Sequence, residues 1–455
     1  MKLIKTLFLF LIPSIFSLDI YVHNYGIMNN EATTVAALNN GAAFNKAVRI
    51  ASKGDSVIIL ENETLYYIPN SYDGGSPLFT NIQDIEICID GKLIFFDEIS
   101  AWPLTDNQEY FNGIDFHNSI NITLTGNGII DGQGWVWWWE FLIGNIVKQR
   151  PIMLNFEDCI DIKVEYLTLL NSPRFHVYGS NILNFVARHL FIYVNVKQQD
   201  NYYKQVYNKG YTDFSPPVFP FNTDGVDIAG VNIHIYNISV TNYDDAIVIK
   251  ANKGSSKNLN GTDMSCTDNV LVEDIYVNLG VGLSIGSISA HSSFCIKNVI
   301  FQNIYAYYPI KFIYIKTGNL VDSGYPLASL DNVTYRNMTA YTPLLWPIYL
   351  GPQQQKEPNG EGAGLWPQTN PYVNITNIHF ENIYIENSEL RAGLLRCNIS
   401  NPCKNITFDN VVVKNKHSES SFISKPYICD EPGTIFGSFD QKTNPSPINC
   451  GLEPY

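Results

Sequence analysis

The chain has 455 residues, 45% hydrophobic and only 16% charged, with a formal net charge of −14. Without a basic run, that acidity argues against nucleic acid as a partner, and an acidic polymer would need a local cationic site. The length exceeds what one ordinary globular core takes, so the chain is either multidomain or an elongated repeat fold.

Lys2 and Lys5, the apolar run Leu7 to Phe16 and Ser17 predict a cleaved signal peptide over residues 1–18. The run is shorter than the roughly 20 residues of a spanning helix, and no later segment reads as transmembrane. Nine Asn-x-Ser/Thr sequons follow, at Asn62, Asn121, Asn237, Asn260, Asn332, Asn337, Asn374, Asn398 and Asn405, together with eight cysteines. Both features fit a secreted glycoprotein in an oxidising, extracellular setting. Cys397 with Cys403 and Cys429 with Cys450 are the expected bridges, and Cys266 with Cys295 is a further one. Cys88 and Cys159 lie in strand-like runs and are open between pairing and buried thiols.

One helix is legible near the start, from Ala43, Phe44, Ala47, Val48 and Ala51 with Asn40 as a cap. Gly54-Asp55 ends it, and a strand begins at Ser56. A short amphipathic helix placed before the first strand would cover the open end of a solenoid.

Beyond it a phrase recurs: Asn, Ile or Val, a spacer, an aromatic, and Asn-Ile/Val again. It stands at Asn298–Ile304, Asn332–Met338, Asn377–Ile383 and Asn405–Val411, with looser copies from Asn121, Asp161, Asn232 and Asn269. Alternation makes each phrase two short strands joined by a bend, with Ile, Val and Phe inward and stacked on the next coil. Asn suits the bends because it tolerates left-handed backbone and forms amide ladders. This predicts an all-β parallel β-helix over residues 19–425, with a disulfide-linked tail over 426–455. A propeller would need a regular period of four strands, which is missing.

Carboxylates concentrate where Asn222-Thr223-Asp224-Gly225 is followed by Asp244-Asp245. From Asp224 to Asp244 is 20 residues, close to one coil, and a coil advances the chain by roughly 4.8 Å. In register, Asp224 lies over the Asp244-Asp245 pair. Crowded carboxylates raise at least one pKa, which supplies a general acid beside an ionised base. A Ca²⁺ site and plain solvated surface are the other readings of such a cluster, and Asp227 can simply close a turn. Successive strand residues point to opposite faces, so Asp244 and Asp245 share a face only if the chain bends or bulges there.

In order and spacing the region resembles glycoside hydrolase family 28, the polygalacturonases and their relatives. The matching residues are Asn222-Thr223-Asp224-Gly225, Asp244-Asp245, Gly280-Val281-Gly282-Leu283-Ser284-Ile285-Gly286-Ser287 and Tyr314-Ile315-Lys316, with upstream similarity at Gly126–Gly134 and Asn171–His176. The resemblance implies a single-stranded right-handed parallel β-helix and inverting hydrolysis of a pectin-like polysaccharide. It makes Asp244 the general acid, Asp224 and Asp245 the groups that activate water, and Lys316 a ligand of a sugar carboxylate. It also makes Asn222 a group that positions the sugar, and places Tyr314 at a substrate-binding position. No cofactor or metal is implied, and the chain is expected to act as a monomer with no membrane partner.

Two positions depart from the family pattern: its His is Val281 and its Arg is Tyr314. Neither replacement reproduces the proton transfer or the bidentate grip of the original. The expectation is therefore a substrate other than unsubstituted polygalacturonan, with activity on that polymer improved by restoring both groups. Rival readings are a Ca²⁺-dependent lyase and a wall or carbohydrate-binding protein without catalysis. Trp135, Trp137, Trp138 and Trp139 read as packing under a loop rather than a sugar platform. His176 and His291 read as structural, and Arg174 and Lys250 as substrate cations or ordinary surface charge.

Overall fold

The structure, a computed structural model, describes residues 17–71, 76–199, 219–252, 257–290, 294–318, 327–353, 368–416, 426–429 and 433–455. Most of the expected signal peptide and His291 lie outside the described residues. Among the described residues twenty-eight strands form one sheet wound into a right-handed solenoid, in which the pairings between strands are parallel. Ile233, Val270, Val299, Val333, Ile378 and Ile406 follow one another in register up the stack, none more than 3% exposed. Beside them the rings of Phe301, Tyr335, Phe380 and Phe408 stack with centroids 4.8, 5.7 and 4.7 Å apart.

The phrases are continuous strands rather than strand pairs. Cys295–Tyr307 is one run, bent at Asn298 and Asn303, which hold φ of 54° and 58°. The same left-handed turn recurs at Asn332, Asn337, Asn377, Asn382, Asn405 and Asn410. The amide ladder is present: Asn332 Nδ2 donates to Asn298 Oδ1 at 2.7 Å and Asn405 Nδ2 to Asn377 Oδ1 at 2.6 Å. An aspartate closes some of the runs, as where Asn298 donates to Asp268 and Asn377 to Asp331.

The capping helix is longer than its sequence signal. Helix α1 spans Thr34–Ile50, and Thr33, not Asn40, caps it by accepting the Ala36 N–H. Asn40 sits inside the helix, fully buried, and its amide ties the helix to Met28 and to the Tyr66 carbonyl. Polar residues such as Asn40 and Asn45 on the inward face interrupt the apolar period, which hid the first two turns. A strand, Asp19–Tyr21, precedes the helix and pairs with the start of Ser56–Ile59. A second helix, α2, Gly134–Leu142, carries the tryptophans: Trp137, Trp138 and Trp139 are at most 1% exposed, and Trp137 meets Trp102 and Tyr110 edge-on. These three pack, as expected.

Bridges join Cys266–Cys295, Cys397–Cys403 and Cys429–Cys450, while Cys88 and Cys159 are free thiols. Within the expected tail, Tyr427–Ile428 and Ile435–Phe439 add parallel strands to the preceding coils. Among the described residues no helix is long and apolar enough to cross a membrane.

Candidate active site

The site lies where Val226–Thr241 pairs with Asp245–Ile249, which pairs in turn with Gly282–Ile288 and then Ile313–Thr317. The register is 21 residues, Val226 against Ile247, so Asp224 stands over Asp245 rather than over Asp244. The Gly225 N–H donates to the Asp245 carbonyl at 2.9 Å. A Cβ on Gly225 would stand 2.3 Å from the Ala246 carbonyl oxygen, so only glycine permits this approach.

The bend required of the Asp-Asp pair is present. Tyr243 takes a φ of 67°, and the register slips between Asp245 and Ile247. Together these bring one oxygen each of Asp224, Asp244 and Asp245 within 4.8 Å of one another. This is tighter than the roughly 6.5–9.5 Å typical of inverting carboxyl pairs, so the separation by itself does not argue for inversion.

The three carboxyls are not equivalent. Burial raises Asp224 well above the usual range, helped by repulsion from Asp227, Asp244 and Asp245. One of its oxygens has no hydrogen-bond partner. Burial and the Asp245 charge also raise Asp244, whose oxygens accept the backbone N–H groups of Asp245 and Asn222, each at 2.8 Å. Asp245 goes the other way. Burial pushes it up, but Lys316, Lys250 and two side-chain hydrogen bonds outweigh that and hold it below the usual range. Lys316 Nζ lies 2.6 Å from Asp245 Oδ2, and Ser284 Oγ donates to Oδ1. The cluster thus holds an anchored anion beside two carboxyls that favour protons, the separation of roles that acid–base chemistry needs.

Lys316 reaches Asp245 across two coils, not three, because Asp245–Ile249, Gly282–Ile288 and Ile313–Thr317 are successive neighbours. Gly286 makes room for it: φ is 108°, and a Cβ would fall 2.2 Å from the Lys316 carbonyl. Asn222, exposed with φ of 57°, turns its N–H onto Asp244 and its Oδ1 toward Arg150.

Tyr314 is 2% exposed and presents almost no surface to a ligand. It belongs to an apolar cluster with Trp346, Tyr349 and Leu394, against which Val281 packs. Val281 and Tyr314 therefore belong to one packing unit. Lys311 Nζ lies 3.7 Å and Lys316 Nζ 4.7 Å from the Tyr314 ring centroid, so the ring stabilises the ammonium that anchors Asp245.

His176 is structural, as expected. It is fully buried, its Nδ1 donates to the Asp224 carbonyl at 3.0 Å, and burial lowers its pKa to about 4. Two participants carried no functional signal in the sequence. Asp227 is fully buried and paired with Lys250 at 3.2 Å, and Arg150 donates to Phe221 O and Asn222 Oδ1.

A parallel β-helix with a cluster of aspartates and an embedded lysine on one stack of strands defines a class of carbohydrate-active proteins. The profile of Glycosyl hydrolases family 28 matches residues 75–429, and the chain belongs to that family. It is 28% identical over 426 residues to "Exopolygalacturonase B" of Aspergillus niger, covering 89% of this chain and 85% of the relative. Among solved structures it resembles endo-xylogalacturonan hydrolase from Aspergillus tubingensis, with a TM-score of 0.60, 17% identity and coverage of 91% and 95%. A polygalacturonase from Erwinia carotovora ssp. carotovora gives a TM-score of 0.59, 20% identity and coverage of 91% and 97%. These two share the fold.

Proposed function

We propose that this protein is a secreted hydrolase of a pectin-like polysaccharide that cleaves α-linked galacturonic units. The curated relatives, named as exopolygalacturonases, support that substrate class. The observation that carries the reading is the contact of Asp245 with Lys316 beside two carboxyls of raised proton affinity. Asp244, protonated, gives its proton to the glycosidic oxygen, so the leaving sugar departs as an alcohol. Asp245 is ionised at rest and accepts a proton from the attacking water. Asp224, one coil away, holds that water from the other side. The remaining Lys316 donors and Asn222 take the sugar. In line with the family resemblance, the reaction inverts the anomeric centre, needs no cofactor, and is carried out by a monomer.

The test is a reducing-end assay over a panel of pectic polymers, with the ultraviolet absorbance of unsaturated uronates followed in parallel. New reducing ends without that absorbance support hydrolysis. Both signals together mean elimination, and neither means a binding protein. NMR of the first product gives its anomer, and product sizes give the mode of attack.

A further inference from the structure

Arg150 and Arg174 form a second cationic group on the side of the carboxylates opposite Lys316. Arg174 lies on the coil before Asp224, since the His176 N–H bonds the Asp224 carbonyl, whereas Lys316 lies two coils after Asp245. Among the described residues neither guanidinium is in an ion pair. Arg150 is 3% exposed, with Nη1 unpartnered, and Arg174 Nε is buried and unpartnered as well. Unmade bonds on buried cations are costly unless a ligand completes them. The two guanidiniums repel each other enough to help burial lower Arg150 to about 10, so it stays charged at neutral pH.

Arg174 opens into a pocket of about 340 Å³ with Phe175, Tyr178, Lys250, Glu157 and Ser287 on its walls. Phe175 and Tyr178 stack at 5.8 Å, and the Arg174 guanidinium lies 4.3 Å from the Phe175 ring centroid. The volume falls in the range of small-ligand sites, roughly 300–1,000 Å³. The stacked rings offer an apolar face for a pyranose, and the guanidinium offers the fork that fits a carboxylate. Lys250 is already paired with Asp227, and Glu157, also on the wall, is acidic. The anion-seeking group in the pocket is therefore Arg174.

We propose that Arg174, backed by Arg150, binds the free carboxylate of a second uronate in this pocket, while the Lys316 side takes its neighbour across the scissile bond. The substrate is then a run of at least two adjacent, unesterified uronates, recognised from both sides of the aspartate cluster. This rests on the proposed function and names Arg174 as a specificity residue for it. It also accounts for how a chain with Tyr314 in place of the family arginine still selects an acidic sugar.

The test is equilibrium binding of digalacturonate and of its dimethyl ester, by calorimetry, to the full chain and to Arg174→Gln and Arg174→Lys. The wild type should prefer the free acid. Arg174→Gln should weaken the acid about tenfold or more and leave the ester unchanged, with Arg174→Lys between. Circular dichroism and thermal unfolding check the fold, and if the glutamine variant is unfolded the lysine variant decides. Equal binding of acid and ester by the wild type, or wild-type affinity for the acid in a folded variant, overturns the proposal. The assay for hydrolysis is separate. Absence of new reducing ends with Arg174-dependent binding defeats the catalytic reading alone, and turnover insensitive to Arg174 defeats this one alone.

Discussion

At Asn298 the chain turns through left-handed backbone, and the side chain bonds its counterparts in the coils on either side, Asp268 and Asn332. At Tyr243 the chain turns through the same backbone region, with φ of 67°, but three carboxyls converge beyond the turn. The first bend uses a residue that enters this region at little cost and satisfies its polar groups with like neighbours. The second uses a bulky residue for which the region is strained, and it collects like charges. Both bends stand on the same hydrophobic stack, so coil geometry is generic and chemistry arises where the bend sequence leaves the ladder pattern. Leu279, Tyr308 and Thr342 hold the same left-handed backbone, with φ of 55°, 50° and 53°, so a fold held by its regular bends carries several unfavourable ones, and at Tyr243 one of them gathers the carboxyls.

The sharpest break in that contrast is Asp244→Asn. Removing the proton donor without changing shape should lower kcat by about 10²–10⁴, with binding of digalacturonate by calorimetry retained. Full turnover in this variant would remove Asp244 from the mechanism. Next in size is Tyr314→Arg with Val281→His, the pair of replacements expected from sequence to restore activity on unsubstituted polygalacturonan. The structure adds a cost in stability to that proposal, because Tyr314 is a packed ring bordered by Lys311 and Lys316. A guanidinium there adds a third buried cation beside Lys311 and Lys316, and the double variant should lose stability by about 3 kcal/mol or more. Chemical denaturation measures this, and unchanged stability would show that the cluster accommodates both polar groups, while raised activity on unsubstituted polygalacturonan would support the restored contacts.

A smaller effect concerns pH. In the proposed mechanism Asp245 is ionised and Asp244 protonated, so kcat/KM should be bell-shaped. The acid limb lies below the usual carboxylate range because Lys316 and Lys250 hold Asp245 down against burial, and the alkaline limb lies above it because burial and Asp245 hold Asp244 up. Lys316 lowers both groups. Lys316→Met should therefore move both limbs to higher pH, with the acid limb moving more because the ammonium touches Asp245. Limbs that stay in place would show that these two groups do not set the profile.

Much of this was legible in the sequence because it depends on local pattern. The Asn-Ile/Val phrases carried the solenoid, the ladder and the inward stack, and the cysteine spacing carried the three bridges. The meeting of Asp224, Asp244 and Asp245 followed from a spacing near one coil, though one residue of register moved Asp224 onto Asp245. What escaped depends on long-range packing. Arg150 reaches Asn222 over 72 positions of sequence, and nothing in its neighbourhood announces that reach. Asp227 looked like a turn residue because its partner, Lys250, lies one coil on. Val281 and Tyr314 looked like two separate losses, and only their shared cluster shows that they pack as one unit.

The smallest effect tests the ladder itself. Asn298 is exposed, holds φ of 54°, and makes two side-chain bonds, donating to Asp268 Oδ1 and accepting from Asn332 Nδ2, both at 2.7 Å. Two contributions to its role can be separated by substitution. Glycine keeps the backbone turn and removes the bonds, and because these are exposed the loss should be about 0.5–1.5 kcal/mol. Alanine removes the bonds and also pays for left-handed backbone, which adds roughly 1–2 kcal/mol. Asn298→Ala should therefore be less stable than Asn298→Gly, the reverse of the order in a helix or an ordinary strand, where glycine is the weaker residue. Denaturant midpoints on the two variants and the wild type decide it, with kcat unchanged in both because the bend lies away from the aspartates. If alanine matched or exceeded glycine, the bend would be held by the stack beneath it, and the asparagine would contribute only its ladder bonds.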